Sequence, residues 1–256
     1  MFADTPITLR PDMAPDSRFP AIRTVGIDGF LVSFAEVQDE RANRAALAFR
    51  SALERESWPG VEECATSLVS TFLRFDLGAC DHASLRARLV QLLSSRNWFD
   101  APLPEGRRLW RVPAVFGSDN GPQLTEAATL AGQTPEEAVT TICAQPLRVQ
   151  TIGFAPGQPY LGQLPPEWDI PRQAKLSPHV PEGALVVAIR QLIVFSVGTP
   201  TGWRHIGQTG LRLFRPELDD PFLLRPGDEV LFTRAPEDAL DRLRADPDGG
   251  AVAEAL

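Results

Sequence analysis

Two stretches of the chain concentrate the side chains from which a binding site could be built. The first, residues 153–172 (GFAPGQPYLGQLPPEWDIPR), sets Gly153, Pro156, Gly157 and Pro159 close together and follows them with Tyr160, Leu161 and Gly162. Proline fixes φ and glycine permits close backbone approach, so the stretch reads as a rigid surface turn or as a loop walling a pocket, unfit for a helix or a central strand. The second, residues 198–207 (GTPTGWRHIG), joins donors from Thr199, Arg204 and His205 to the flat face of Trp203. The same residues equally fit a barrel corner with Trp203 in the core. Arg172 and Gln191 sit beside proline or apolar neighbours, where a buried amide or guanidinium left unpaired costs about 1–3 kcal/mol. Each therefore needs a partner, a structural one being the expectation for Arg172. The candidate pocket lining is Pro156, Gly157, Tyr160, Gly162, Arg172, Gln191, Thr199, Trp203 and His205. Glu167 and Asp169 read as solvated, and no residue qualifies as general base or nucleophile.

Other chemistries lack their residues. The three histidines, His82, His179 and His205, are beyond helical reach of one another and stand beside no acidic cluster, so no metal site is expected. Cys64, Cys80 and Cys143 form no C-x-x-C pair, which fits reduced thiols in a cytoplasm. Neither G-x-S-x-G nor a glycine-rich phosphate loop occurs. With 33 acidic against 25 basic residues and a formal charge of −8, adhesion to nucleic acid or anionic lipid is disfavoured. The longest apolar run, residues 184–197, is broken by Arg190 and Gln191 and is too short to span a bilayer. The N-terminus lacks the basic start and apolar run of a secretory signal.

The elements that must position the candidates fall into two halves. Pro6, Pro11, Pro15 and Pro20 mark an extended arm over 1–19. Residues 20–105 read as an α+β domain: a strand at 30–34, a helix with Ala42, Ala46, Phe49 and Leu53 on one stripe, strands at 61–64 and 67–75, and a helix over 82–96. With 109–116 as closing strand, that order is the split βαβ, or ferredoxin-like, unit. Residues 106–236 open with two short helices, the second announced by Thr134-Pro135-Glu136-Glu137, a capping box with proline at the first helical position. Apolar strands at 147–154, 184–189, 192–197, 211–214 and 229–232 then predict a sandwich or closed barrel. Pro226-Gly227-Asp228 reads as a structural turn whose aspartate bonds a nearby N–H. Residues 237–256 read as a short helix and frayed tail.

Taken in order, GFAPGQPYLGQL, IPR, TPTGWRHIGQT and LFRPELDDPFLLRPGDEVLF, with VPAVFGSDNGPQL at 112–124, resemble the allophanate hydrolase subunit 1 family, also known as the B subunit of 5-oxoprolinase and as KipI-type kinase inhibitors. The likeness spans residues 20 to 235. It implies an α+β chain with a cyclophilin-like β-barrel behind the ferredoxin-like domain. It further implies a small-molecule substrate, ATP as co-substrate and hydrolysis of 5-oxoproline to glutamate by a complex. The partners it implies are a protein of the C-subunit type (allophanate hydrolase subunit 2, KipA-like) and a LamB/YcsF-type protein as the A subunit. A histidine-kinase inhibitor and a biotin-dependent carboxyltransferase component are the alternatives within the family. The chain departs from the family pattern at several positions. P-G-F-P-Y-L-G-G becomes PGQPYLGQ with Gln158 and Gln163, and G-G-Q-T-G-I-Y-P becomes Ile189-Arg190-Gln191 and on through Phe195. S-P-G-G-W carries Thr201 for a glycine, and Ile142 stands where a histidine is expected.

Overall fold

The computed structural model describes residues 18–256, so the arm expected over 1–19 lies outside the described residues except for its last two. Two main sheets, each with its own apolar cluster, organise the described chain. The smaller is a four-stranded antiparallel sheet of β1 (Ala21–Val25), β2 (Gly29–Ser33), β3 (Val61–Ser67) and β4 (Ser70–Phe75), in the order β1-β2-β4-β3. Helices α1 (Glu40–Glu56) and α2 (His82–Ser94) supply its apolar cover, including Phe49 and Leu53 from the first and Leu85 and Leu89 from the second. Both helices start on an aspartate cap: Asp39 accepts from the Ala42 N–H at 2.7 Å and Asp81 from the Ser84 N–H at 2.9 Å.

This sheet corrects the split βαβ expectation. The chain runs ββαββα, β1 lying unmarked beside Pro20, and the single strand expected over 67–75 is a turn followed by β4. The expected closing strand belongs elsewhere: β5 (Arg108–Phe116) buries Trp110, Val112 and Ala114 in the second sheet.

That second sheet closes on itself. Strands β6 (Leu147–Ile152), β7 (Pro159–Gly162), β9 (Ala184–Ala188), β10 (Gln191–Val194), β12 (Arg204–Thr209) and β13 (Glu229–Arg234) pair with β5 in the order β12-β9-β10-β7-β6-β13-β5, and β5 returns to β12. The result is a seven-stranded barrel, antiparallel except where β13 runs parallel to β5. A two-stranded ribbon, β8 (Ser177–Val180) with β11 (Thr199–Thr201), lies outside it. Helices α3 (Leu124–Leu130) and α4 (Pro135–Cys143) add Ala127, Ala138 and Ile142 to the barrel core, and α4 carries the expected capping box in full. Ile142 is thus a core residue rather than part of a cleft.

Three further readings change. The PYLG segment is a central strand after all: β7 lies between β10 and β6, with Pro159 at its first position, where a missing N–H is tolerated. Residues 211–214 form no strand and contribute a single bridge, Phe214 to Phe222. The segment expected as a frayed tail holds α5 (Leu240–Ala245) and β14 (Val252–Ala255), the latter pairing with the half of β5 that β12 leaves open.

The β9–β10 hairpin turns on Ile189 and Arg190, whose φ values are 44° and 62°. A two-residue hairpin turn with both φ positive suits glycine, and a β-branched residue there is an outlier. These are the positions where the family pattern carries Gly-Gly, so the turn geometry persists although its residues have changed. Ile189 is exposed and loses little packing on truncation. Ile189→Gly should raise stability by about 0.5–1 kcal/mol in urea unfolding, the relief of strain exceeding the added chain entropy. An unchanged or lower midpoint would contradict the strain.

Candidate functional site

The two sheets meet through a polar seam. Asn43, in α1, donates to the carbonyls of Leu68 (2.5 Å) and Gln150 (3.0 Å), and Arg148 reaches both the Asn43 side chain (3.3 Å) and Glu40. Gln150 Oε1 accepts from Gln38 (2.6 Å) and Gln191 (3.0 Å), while the Thr151 hydroxyl donates to the Thr66 carbonyl at 2.8 Å. Polar residues alternate with apolar ones along β6 because its inner face fills the barrel and its outer face meets this seam. Gly162 lies opposite Gln191, and a Cβ there would stand 2.8 Å from Gln150 Oε1. Gly162 and Gln191 therefore belong to the seam, as do Gln38, Asn43 and Gln150. The alternation of LRVQTI offered the only sequence signal for these three, and it pointed at Gln150 alone.

One pleat repeat along, about 7 Å away, Tyr160 and Ile193 pair across the same two strands. Here a separate apolar patch forms outside the barrel from Val186, Ile193, Phe195 and Trp203, with Tyr160 packed against it. Tyr160 meets Trp203 edge to face, ring centroids 6.2 Å apart at 77°. The Arg172 guanidinium lies over the Trp203 ring, 5.0 Å from its centroid. Its loop is laced to the start of β12: the Gln173 N–H donates to the Gly202 carbonyl (2.7 Å), Gln173 Nε2 to the Trp203 carbonyl (3.0 Å) and Arg204 to the Pro171 carbonyl. A Cβ on Gly202 would lie 3.3 Å from the Gln173 carbonyl oxygen, so glycine suits this close approach. Thr201 accepts from the Trp203 N–H at 3.1 Å and fixes the turn before it. Tyr160, Arg172 and Trp203 are thus in one assembly.

The remaining candidates stand apart from it. Pro156 and Gly157 form the β6–β7 turn, with Gly157 pressed on the Leu213 backbone, and Thr199 sits in the outer ribbon opposite Val180. His205 pairs with Val186 across β12 and β9, and its buried Nε2 has no hydrogen-bond partner among the described residues. Burial pushes the His205 pKa below its ordinary 6.5, against smaller opposing effects from Gly207 and Gln208. A histidine kept neutral in the fold takes up a proton more readily once unfolded. Its contribution to stability is complete above about pH 6.5 and is lost as pH falls below it. His205→Gln should therefore flatten part of the stability loss between about pH 7 and 5.5, measured as urea midpoints. Equal slopes in the two proteins would reject this.

A cleft of about 610 Å³ lies elsewhere, between α1 and β3 on one side and residues 220–228 on the other. None of the nine candidates lines it. Cys64 does, but burial pushes its pKa up to about 11, so it is a protonated thiol at neutral pH and no nucleophile. Burial raises Cys143 to about 11 as well. Among the described residues no helix is long and apolar enough to cross a membrane, and no group of three or more His, Cys, Asp or Glu side chains is gathered for a metal.

Comparison with known proteins places this architecture. The Bacillus subtilis (strain 168) protein named as the B subunit of 5-oxoprolinase is 31% identical over 228 residues, covering 84% of this chain and 93% of that protein. The crystal structure of TTHA0988 superposes with a TM-score of 0.69 at 31% identity over 84% of this chain, which spans only 40% of that longer one. The Kluyveromyces lactis urea amidolyase shares the fold, with a TM-score of 0.67 at 16% identity, covering 92% of this chain and 16% of the amidolyase. The model of the carboxyltransferase domain, subdomains C and D, matches residues 20–224, and the chain belongs to that family.

Proposed function

We propose that this chain is the B subunit of an ATP-dependent 5-oxoprolinase, which converts 5-oxoproline, ATP and water to glutamate, ADP and phosphate and works only with its partner subunits. The observation that carries the reading is the alignment with a protein of that name along 93% of its length. The side chains support a binding and orienting role. Both barrel-side and cleft-side thiols, Cys143 and Cys64, are held protonated, and His205 is buried and neutral, so none supplies a ready nucleophile.

ATP would supply the phosphoryl group that turns the ring carbonyl oxygen into a leaving group. Its triphosphate needs several free cations, and the glycine-bearing segment at 198–207 does not offer them. Arg204, the segment's one arginine, is committed to Glu126 at 2.9 Å and to the Pro171 carbonyl, and Arg172 is the one further guanidinium placed against Trp203. We therefore assign the nucleotide to the partners, a protein of the C-subunit type and a LamB/YcsF-type protein, and the small-molecule acid to this chain. The test is ADP release dependent on 5-oxoproline from the assembled complex. An assembled complex that fails to turn over rejects the reading.

A further inference from the structure

The Arg172 guanidinium is fixed in direction without being neutralised. Pro171 and Gln173 on either side of it are bonded to Arg204, Gly202 and Trp203, and its own charge rests over the Trp203 ring. Interaction with a ring face leaves the in-plane N–H donors of a guanidinium unspent. No carboxylate lies within ion-pairing distance of it among the described residues, whereas the adjacent Arg204 has Glu126. Tyr160, edge-on to the same indole, has a hydroxyl with no hydrogen bond among the described residues. A half-buried phenol and an exposed guanidinium, both held against one buried indole, form a receptor for the carboxylate of a small acid.

We propose that Arg172 and Tyr160 bind the carboxylate of a small cyclic acid at the protein surface above the buried Trp203. The identification of that acid as 5-oxoproline rests on the 5-oxoprolinase reading above. The guanidinium would pair with the carboxylate in bidentate fashion and the phenol would donate a further hydrogen bond, while the ring amide stays free for chemistry at the partner's face.

Tyr160 is the one tyrosine in the chain, so full-length protein grown with 3-fluorotyrosine gives a single fluorine resonance from this site. Titration with L-5-oxoproline should shift that line, and 2-pyrrolidone, the same ring without its carboxylate, should leave it in place. Arg172→Gln should weaken the response about 10- to 100-fold, as loss of a charged hydrogen-bonded pair does. Arg172→Lys should retain a weakened response, which also guards against misfolding of the glutamine variant. Absence of a shift with 5-oxoproline, an equal shift with 2-pyrrolidone, or full response in Arg172→Gln overturns the assignment. Failure of the 5-oxoprolinase reading appears separately, as missing 5-oxoproline-dependent ADP release by the assembled complex.

Discussion

Asp228→Ala should cost about 3–5 kcal/mol of stability, the range found when one partner of a buried ion pair is removed. The Asp228 side chain is 2% exposed and faces four donors. These are the Arg108 N–H (2.9 Å), the Arg108 guanidinium (2.6 Å), the Trp110 indole (3.3 Å) and the Arg225 N–H (3.1 Å). Its backbone extends the knot, since the Val149 N–H donates to the Asp228 carbonyl at 2.8 Å. The carboxylate thus ties β5 to the turn into β13, and the backbone carbonyl adds β6, where the barrel pairs its parallel strands. Alanine would leave the guanidinium uncompensated and strand two backbone donors, while Asp228→Asn, which keeps one accepting oxygen, should cost less. For a chain of this size the alanine variant should melt about 10 °C lower. A loss below about 1 kcal/mol in urea unfolding would show that solvent replaces the knot.

That turn is also where the sequence is most readable. Glycine and aspartate each dictate one local event, and both occur: Gly227 takes φ of 97° and Asp228 accepts from the Arg225 N–H. The capping box of α4 and the apolar stripe of α1 are legible for the same reason, as their causes lie within four residues. What escapes a local reading depends on distant partners. PYLG has the turn residues of a loop, yet β6 and β10 flank it and recruit it as a strand, with proline at the tolerated end. Residues 109–116 fit either sheet by their alternation, and β12, β13 and β14, all far along the chain, decide for the barrel sheet. The exposed strand β14 carries no apolar period at all and exists because β5 has a vacant edge.

The candidate site divides along the same line. Aromatic and cationic residues in glycine- and proline-rich stretches flag Tyr160, Arg172 and Trp203, which the structure brings together on the outside of the barrel. The same composition flags Pro156 and Gly157, whose surroundings concern the turn they make. Gln38 and Asn43, which complete the seam around Gln150 and Gln191, come from the other half of the chain and bear no local mark. Composition alone does not distinguish a glycine that admits a ligand from one that admits another stretch of backbone.

Gly157→Ala separates those two possibilities, and it should lower stability by about 3 kcal/mol. Gly157 has φ of 73°, a conformation that costs an L side chain about 1–2 kcal/mol. A Cβ there would also stand 2.7 Å from the Leu213 carbonyl oxygen, a backbone atom that moves only with its segment, and such overpacking adds about 1–3 kcal/mol. Gly153, in the same turn, has no atom within 4 Å of its would-be Cβ, so Gly153→Ala should stay within about 0.5 kcal/mol of the parent. Urea unfolding of the pair reads the difference directly. If Gly157 instead existed to let a ligand approach, its alanine variant would lose no more than the φ cost of about 1–2 kcal/mol and would also lose affinity for 5-oxoproline in the assembled complex. A loss of only about 1 kcal/mol with weakened substrate binding would return Gly157 to the binding surface, whereas a loss near about 3 kcal/mol makes it the hinge on which β6 turns back into β7.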